Sequence, residues 1–438
     1  MAVDKKIFAS SATSWREKLG AMISGGSNTG DTMRNIYLDY GWPETIEFVN
    51  FWNMYRRFGI AKNIVELPVD TGWSTIPTIE GSEKLVSGIE ALDKRFNFWL
   101  RLKGLDTRQR VGRYAGMFMR VRDGKKPSEP LEGKLSGESV LLEMMPLYES
   151  QLKVTETDQD PNSDNFGQPV MIEYNQGADG SRNEDANNSI NIHASRIVFA
   201  AEGADNGWIQ GIPALEASYN SLMDLQKIIG GSAEGFYKNA AQSVIFNLQD
   251  AASAATYKDK LDDFSENYDD FTKNRFRRGM WTPGMDVNTL ESRMMSPKDS
   301  FEVSLSDAAA GAQIPATILI GKQTGRLASE EDSTHFLSTV QSRRGNFMTE
   351  MIRANIDWCM EWGILPFAEY DVIWDNLLAR SDEERLKNGD NMAAINQKQF
   401  QSGGDEVFSA GEIREMAGYE PEELPEAEDG ESMQDDDE

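Results

Sequence analysis

The chain has 438 residues, and its 72 Asp and Glu against 44 Lys and Arg leave a net charge of −28. This charge argues against a protein that wraps DNA or adheres to an anionic membrane, because both need a basic surface. The single cysteine excludes a framework of intrachain disulfides, and no apolar run reaches the length of a membrane-spanning helix.

The first half of the chain predicts an arm followed by an α+β module. Residues 1–33 have a linker composition, with SGGSNTGD at 24–31, and lack the apolar core of a signal peptide. We therefore expect a flexible N-terminal arm and no export by that route. Residues 34–210 begin with apolar residues at helical spacing and continue with short apolar runs between loops rich in Asp, Asn and Gly. The predicted strands are 141–145, 153–156, 170–175 and 196–199.

Two predicted helices flank a mixed segment in the middle of the chain. Residues 211–239 predict a long helix, because their apolar residues fall on one face. Residues 296–313 predict a second helix, with Ser296 as its cap and Pro297 at its first position. Between them, residues 240–295 predict a strand, a helix and a strand–turn–strand unit.

The segment 314–331 is the most informative part of the sequence. Its apolar run 316–320 predicts a strand, and Gly321 and Gly325 then bracket a polar loop that they leave free to move and to approach a partner closely. The polar residues in and directly after this loop are Lys322, Gln323, Thr324 and Arg326. They form neither a nucleophile–base pair nor a set of metal ligands, so we expect contact with a partner and no catalysis.

The last part of the chain predicts mostly helix. Residues 332–380 contain most of the longest predicted helix, over 330–361, followed by a strand. Residues 381–421 predict two further helices. Residues 422–438 are almost wholly acidic and contain no Lys or Arg, so we expect a disordered tail.

Enzyme chemistry finds little support in the residue inventory. GKQT at 321–324 does not fit a phosphate-binding loop, because the first glycine of that motif would be Ala316 and its magnesium-binding hydroxyl would be Gln323. His193 and His335 are the only histidines, too few for a zinc site or a His-based triad. Abundant carboxylates leave a two-metal nuclease open as an alternative. We expect no cofactor and no metal site.

Several segments, taken in order, resemble the portal proteins of tailed double-stranded DNA bacteriophages. HASRIVFAAEG at 193–203 looks like a strand that precedes a helix in that family, and GWIQGIPALEASYNSLMDL at 207–225 is similar to the helix. FYKNAAQSVI at 236–245 resembles the stretch that follows. IPATILIGKQTGRLASEEDSTHF at 314–336 is the most similar segment. The resemblance covers about residues 45–420 and rests on the order and spacing of these segments.

The resemblance implies an α+β portal-type subunit that assembles into a homo-oligomeric ring of twelve copies. It assigns 34–210 to the wing, 211–239 and 296–313 to the stem helices, 240–295 to the clip, 314–331 to the tunnel-loop region, 332–380 to a long helix and strand that return through the wing, and 381–421 to a helical crown.

The implied function is a DNA conduit at the portal vertex of the capsid, used for genome packaging, DNA retention, ejection and tail attachment. The implied partners are double-stranded DNA, the terminase large subunit, the major capsid and scaffolding proteins, and a tail adaptor or head-completion protein, without a membrane. Assembly is expected in the host cytoplasm and the final location in the virion. A head-maturation enzyme such as a nuclease, and a tail or baseplate structural protein, are the alternatives.

Two basic clusters interrupt the acidic sequence. The first comprises Arg108, Arg110, Arg113, Arg120, Arg122, Lys125 and Lys126. The second, in the predicted clip, comprises Lys273, Arg275, Arg277 and Arg278. In so acidic a chain, our first interpretation is that such patches pair with carboxylates of a neighbouring subunit. Contact with DNA or with terminase is the alternative.

Overall fold

The computed structural model describes most of the chain between residues 35 and 419. The described residues are 35–135, 140–163, 165–176, 189–204, 210–240, 244–248, 285–289, 296–321, 326–378 and 382–419. The predicted N-terminal arm, most of the predicted clip and the acidic tail lie outside them.

Helices dominate the described residues. They are α1 (Ile36–Tyr40), α2 (Phe48–Arg57), α3 (Gly59–Gly72), α4 (Glu83–Phe96), α5 (Phe98–Val111), α6 (Tyr219–Ala240), α7 (Lys298–Ala312), α8 (Ala316–Ile320), α9 (Arg326–Arg343), α10 (Thr349–Glu361), α11 (Asp382–Gln401) and α12 (Ala410–Met416). None of the helices in these stretches is both long and apolar enough to cross a membrane.

The strands are short and pair antiparallel. They are β1 (Thr78–Gly81), β2 (Ala115–Val121), β3 (Leu141–Tyr148), β4 (Leu152–Thr157), β5 (Pro169–Asn175), β6 (Ser189–His193), β7 (Ile197–Ala200), β8 (Val244–Leu248), β9 (Met285–Thr289) and β10 (Tyr370–Ile373). The prediction of an α+β module before α6 is thereby confirmed.

Two three-stranded sheets form the β part of this module, in the orders β3–β2–β7 and β4–β5–β6. They approach each other closely at Gly116 of β2, where a Cβ would lie 2.6 Å from Leu152 of β4. The predictions of β3, β4, β5 and β7 are confirmed to within a few residues. Strand β6 was not predicted, because its polar sequence becomes a strand only by pairing with β5, from Met171 opposite His193 onward.

The long helix near the C-terminus joins two hydrophobic cores. Helix α10 packs with α4, α5, β2 and β3 in the largest cluster of buried residues, which includes Phe98, Met117 and Ile352. The buried Phe336 and Val340 of α9 belong to a second cluster formed with α2, α3, α6 and α7. Between α9 and α10, residues Arg344–Met348 form one turn of π-helix.

Two boundaries differ from the predictions for local reasons. Residues Ala316–Ile320 are helical and not a strand, because Pro315 starts the turn, Leu319 N donates to its carbonyl at 2.9 Å, and Gly321 ends the turn at φ +67°. Helix α6 begins at Tyr219 and not at residue 211, because the residues after Pro213 form successive turns before the helix starts.

Candidate functional site

Helices α6 and α7 form an antiparallel pair whose inner ends pack tightly. Ser218 Oγ donates to the carbonyl of Ala308 at 2.8 Å, and Ser221 Oγ donates to a carboxylate oxygen of Asp307. Gly311 allows this approach, since a Cβ there would lie 2.7 Å from Ser218 Oγ. The pair is therefore anchored in the body of the fold at the C-terminal half of α7.

The outer halves of the same two helices leave that body. Beyond Leu225, the described side chains of α6 are exposed or half-buried, and so are those of α7 before Leu305. Strands β8 and β9, which follow α6 and precede α7 in the chain, pair with each other, from Val244 opposite Thr289 to Leu248 opposite Met285. The projection carries large exposed apolar side chains at Phe236, Tyr237 and Val303, and half-exposed Ile229. A two-helix projection cannot bury these side chains by itself, which is typical of a surface that packs on another chain.

The region after α7 is tied to the body on both sides of the predicted loop. Asn63 Nδ2 donates to the carbonyl of Leu319 at 2.8 Å, and Thr317 Oγ1 bonds to Asp332 near the start of α9 at 2.5 Å. Of the predicted loop residues, Lys322, Gln323 and Thr324 lie outside the described residues. Arg326 begins α9, but its side chain is not described. Lys273, Arg275, Arg277 and Arg278 also lie outside the described residues.

Two consecutive arginines at the π-helical turn fix the long helix to the rest of the fold. Arg343 bonds to both carboxylate oxygens of the fully buried Asp106, the Nη1 contact being 3.0 Å, and its Nε lies 2.7 Å from Glu202 Oε1. Arg110 lies 3.2 Å from the other oxygen of Glu202, and Trp73 Nε1 donates to Asp106 at 2.9 Å. The two positive and two negative groups compensate one another where water is largely excluded.

Arg344, also fully buried, reaches the other side of the helix. It donates to the backbone carbonyl of Gly72 at 2.8 Å and to that of Asp375 at 2.9 Å, and its guanidinium lies 4.8 Å from the ring centre of Trp374. A π-helical turn changes the angle between successive side chains. The turn between α9 and α10 thus places two adjacent arginines in separate polar sites within the chain.

Two buried ion pairs involve the segment HASRIVFAAEG at 193–203. Ser195 N donates to His193 Nδ1 at 3.2 Å, so His193 forms a local hydrogen bond within the segment. Arg196 is buried and lies 2.5 Å from Asp123, while Glu202 at the end of the segment joins the Arg343 network. This segment therefore holds the sheets, the loop after β2 and the long helix together.

Three residues of the first basic cluster form ion pairs within the chain. Arg110 pairs with Glu202, Arg120 with Glu143 at 3.2 Å, and Lys125 with Glu132 at 2.6 Å. The partner carboxylates lie in the same chain and not in a neighbouring subunit. The expectation was wrong for these residues, because the folded chain brings carboxylates of its own next to them.

The described residues contain no catalytic constellation that we can recognise. No group of three or more His, Cys, Asp or Glu in the described part of the chain is placed to hold a metal ion. Cys359 is fully buried, and burial raises the pKa of its thiol to about 12, so it is not a nucleophile at neutral pH. The described geometry consists of a clamped long helix and a projecting helix pair.

The comparisons with known proteins agree with this architecture. The family model described as "Phage portal protein" matches residues 50–398, which is well over half of the chain. The chain belongs to the phage portal protein family. No curated protein sequence matches it.

Chains in two solved neck structures share the fold. A chain in the neck of a native gene transfer agent particle, computed with C12 symmetry, is 15% identical with a TM-score of 0.51, and the match covers 86% of this chain and 94% of that chain. A chain in the neck of the empty particle, computed with C6 symmetry, is 15% identical with a TM-score of 0.52, and coverage is 86% and 95%.

Sequence reasoning missed the four charged residues that clamp the long helix in this portal family member. Asp106 lies among the buried apolar residues of α5, and Arg343 and Arg344 lie between the buried Val340 and Met348 of the long helix. Charges within an apolar helical stripe are the signal that could have identified them, because buried charges need partners. The fourth, Glu202, lies in a segment that the resemblance did highlight.

Protonation should reveal the contribution of Glu202 to stability. Burial alone would raise the pKa of Glu202, but the charges of Arg343 and Arg110 lower it to about 2. A carboxylate whose pKa is lower in the folded state adds stability above its unfolded pKa, and this stability is lost as pH falls towards the folded pKa. We expect the free energy of unfolding to fall more steeply between about pH 4.5 and pH 2 in the parent than in Glu202→Gln. Urea unfolding across this range tests it, and parallel slopes would contradict it.

Proposed function

We propose that this chain is a portal subunit that assembles into a closed ring of twelve copies and forms the DNA conduit at one vertex of a capsid. The observation that carries the proposal is the family match over 50–398. The projecting α6–α7 pair supports it, because its exposed apolar side chains require burial by another chain. The neck structures that share the fold were computed with C12 and C6 symmetry, which fits a ring.

The proposed role is mechanical and not enzymatic. The ring would guide double-stranded DNA during packaging with the terminase large subunit, retain it, and release it during ejection. Its outer surface would contact the major capsid and scaffolding proteins, and a tail adaptor or head-completion protein would bind it in the virion. The net charge of −28 suits a channel through which DNA must slide, because like charges suppress adhesion of the DNA to the channel wall.

Imaging the purified full-length protein tests the ring. Negative-stain images and mass photometry should show closed rings with a central hole wide enough for duplex DNA. Monomers or dimers alone, across a range of salt and protein concentrations, would contradict the proposal.

The loop between α8 and α9 is proposed to face the channel and to contact DNA through Lys322 and Arg326. Because the field of the whole chain repels DNA, this attraction must be local, within a screening length of about 8 Å at physiological salt. We expect the double variant Lys322→Ala/Arg326→Ala to form rings normally and to change the amount of DNA packaged or retained per head. A solvated loop contributes little to folding, so assembly should not suffer.

A matched pair of cations provides the control for that variant. Lys62 and Lys94 are exposed and lie 3.6 Å and 3.8 Å from carboxylates one helical turn away in the same chain. The double variant Lys62→Ala/Lys94→Ala should package and retain DNA like the parent. If the loop variant does so as well, its two charges have no role in DNA contact.

A further inference from the structure

A cleft of about 450 Å³ lies between α10 and the two three-stranded sheets. One wall is a single face of α10, formed by Ala354, Asp357, Trp358, Glu361 and, directly after the helix, Trp362, which follow one another at helical spacing. The opposite wall is formed by the hairpin between β4 and β5, the end of β6, and β7. The Arg343 network and the projecting helix pair do not contribute to it.

Acidic and aromatic side chains line the cleft. Its lining includes three carboxylates, from Asp158, Asp357 and Glu361, and three large aromatic side chains, from Phe199, Trp358 and Trp362. Among the described residues that line it there is no Lys or Arg. Burial and the charge of Arg196 lower the pKa of His193, which disfavours a positive charge on its ring.

Hydrogen bonds hold the α10 wall of the cleft, and one of its carboxylates has no partner among the described side chains. Trp358 Nε1 donates to the carbonyl of Ser195 at 2.8 Å, and Asp357 accepts from Tyr370 Oη at 2.7 Å. Glu361 is exposed and makes no hydrogen bond or ion pair with another described side chain. It lies in the last turn of α10, which carries no basic residue, so the negative end of the helix dipole adds to its field.

Carboxylates beside aromatic rings form a site for a cation. A guanidinium or ammonium group placed there would pair with Glu361 and Asp357 and contact the rings of Trp358 and Trp362. A nucleic-acid phosphate would be repelled by the same groups. A second copy of this chain would bring another net charge of −28, so charge complementarity favours a basic segment from elsewhere.

We propose that this cleft binds a Lys or Arg side chain presented by a basic segment of a different protein. The site lies on the wing part of the subunit, so the interaction is separate from the contacts proposed for the α6–α7 pair and for the loop after α8. It needs no change in the fold, because the carboxylates and the rings already line one cleft.

A labelled peptide tests the proposal on the full-length protein in the assembly state in which it purifies. The probe is a fluorescein-labelled Gly-Ser-Arg-Leu-Arg-Ser-Gly, and the control peptide carries citrulline, which is uncharged, in place of both arginines. Fluorescence anisotropy at physiological salt should show saturable binding of the arginine peptide alone. Equal binding of both peptides, or no saturable binding, would overturn the proposal.

Two variants on the same helix separate the cleft from the general negative field. We expect Glu361→Lys to weaken binding about tenfold and Glu361→Gln about threefold, because they reverse or remove the unpaired charge in the cleft. Glu350→Lys is the matched control, since Glu350 is exposed in the first turn of α10 and does not line the cleft. It should change binding less than twofold.

The remaining outcomes also decide the question. Equal weakening by Glu361→Lys and Glu350→Lys would assign the attraction to net charge and overturn the site. If Glu361→Lys kept its circular dichroism spectrum but lost oligomers that the parent forms, the occupant would be a neighbouring copy and the proposed partner would be wrong. A failure of the parent to form rings would contradict the proposed function without touching peptide binding, so the two conclusions fail separately.

Discussion

Replacement of Arg343 by methionine is expected to lower the free energy of unfolding by about 3–5 kcal/mol. The side chain of Arg343 is 8% exposed and that of its partner Asp106 is fully buried. Methionine retains much of the volume but leaves Asp106 without an ion-pair partner and Glu202 with Arg110 alone. The cost comes mainly from this uncompensated buried carboxylate, which water cannot solvate.

Urea unfolding followed by circular dichroism, at equal protein concentration, measures this effect. Arg353→Met is the matched control, because Arg353 lies on α10 and makes only longer contacts, at 3.6 Å to Asp371 and 3.8 Å to Glu350, with a side chain that is 40% exposed. Such surface pairs contribute about 0–1 kcal/mol. A loss in Arg343→Met no larger than that in Arg353→Met would show that the clamp on the long helix does not stabilise the fold.

The triple variant Phe236→Ser/Tyr237→Ser/Val303→Ser is expected to abolish ring formation at concentrations at which the parent is fully assembled. These side chains are 69%, 76% and 72% exposed in the subunit and lie on the outer halves of α6 and α7. Burying each of them between copies would contribute about 1.5–3 kcal/mol, and the contribution recurs at every contact around a closed ring. Serine removes that contribution and leaves the inner packing of the pair untouched.

Mass photometry of parent and variant over a dilution series measures the shift. Leu100→Ser is the control, because Leu100 is 66% exposed on α5, away from the projection. The control should assemble like the parent, and the triple variant should remain monomeric with an unchanged circular dichroism spectrum. Rings formed equally by all three proteins would place the contacts between copies elsewhere on the subunit.

Local sequence determined most of the helices and several strands. Apolar spacing predicted helix at the start of the α+β module and in the long helix that includes α10. Each of these helices buries one face against a core, and this requirement sets the spacing of its apolar residues. Strands β3, β4, β5 and β7 were likewise predicted from short apolar runs between turns. The order of the portal-like segments also led to the family, which the match over 50–398 then showed.

The candidate site could be predicted only in part. The projecting helix pair follows from the apolar faces at 211–239 and 296–313, although the start of α6 was eight residues too early. The roles of Lys322, Arg326 and the basic residues of the predicted clip stay predictions. For the cleft beside α10, the spacing from Ala354 to Trp362 is visible in the sequence, but the opposite wall is not.

Only the tertiary structure decided which distant residues meet. Strand β1 is a strand because it pairs with β10, from Thr78 opposite Ile373 to Gly81 opposite Tyr370, and neither strand has a partner nearby in the sequence. Arg343, Asp106 and Glu202 come from three separate elements, and nothing in their local sequence specifies which charges will pair. The spacing of apolar residues indicates which face of a helix or strand is buried. The element that covers this face depends on how the whole chain packs.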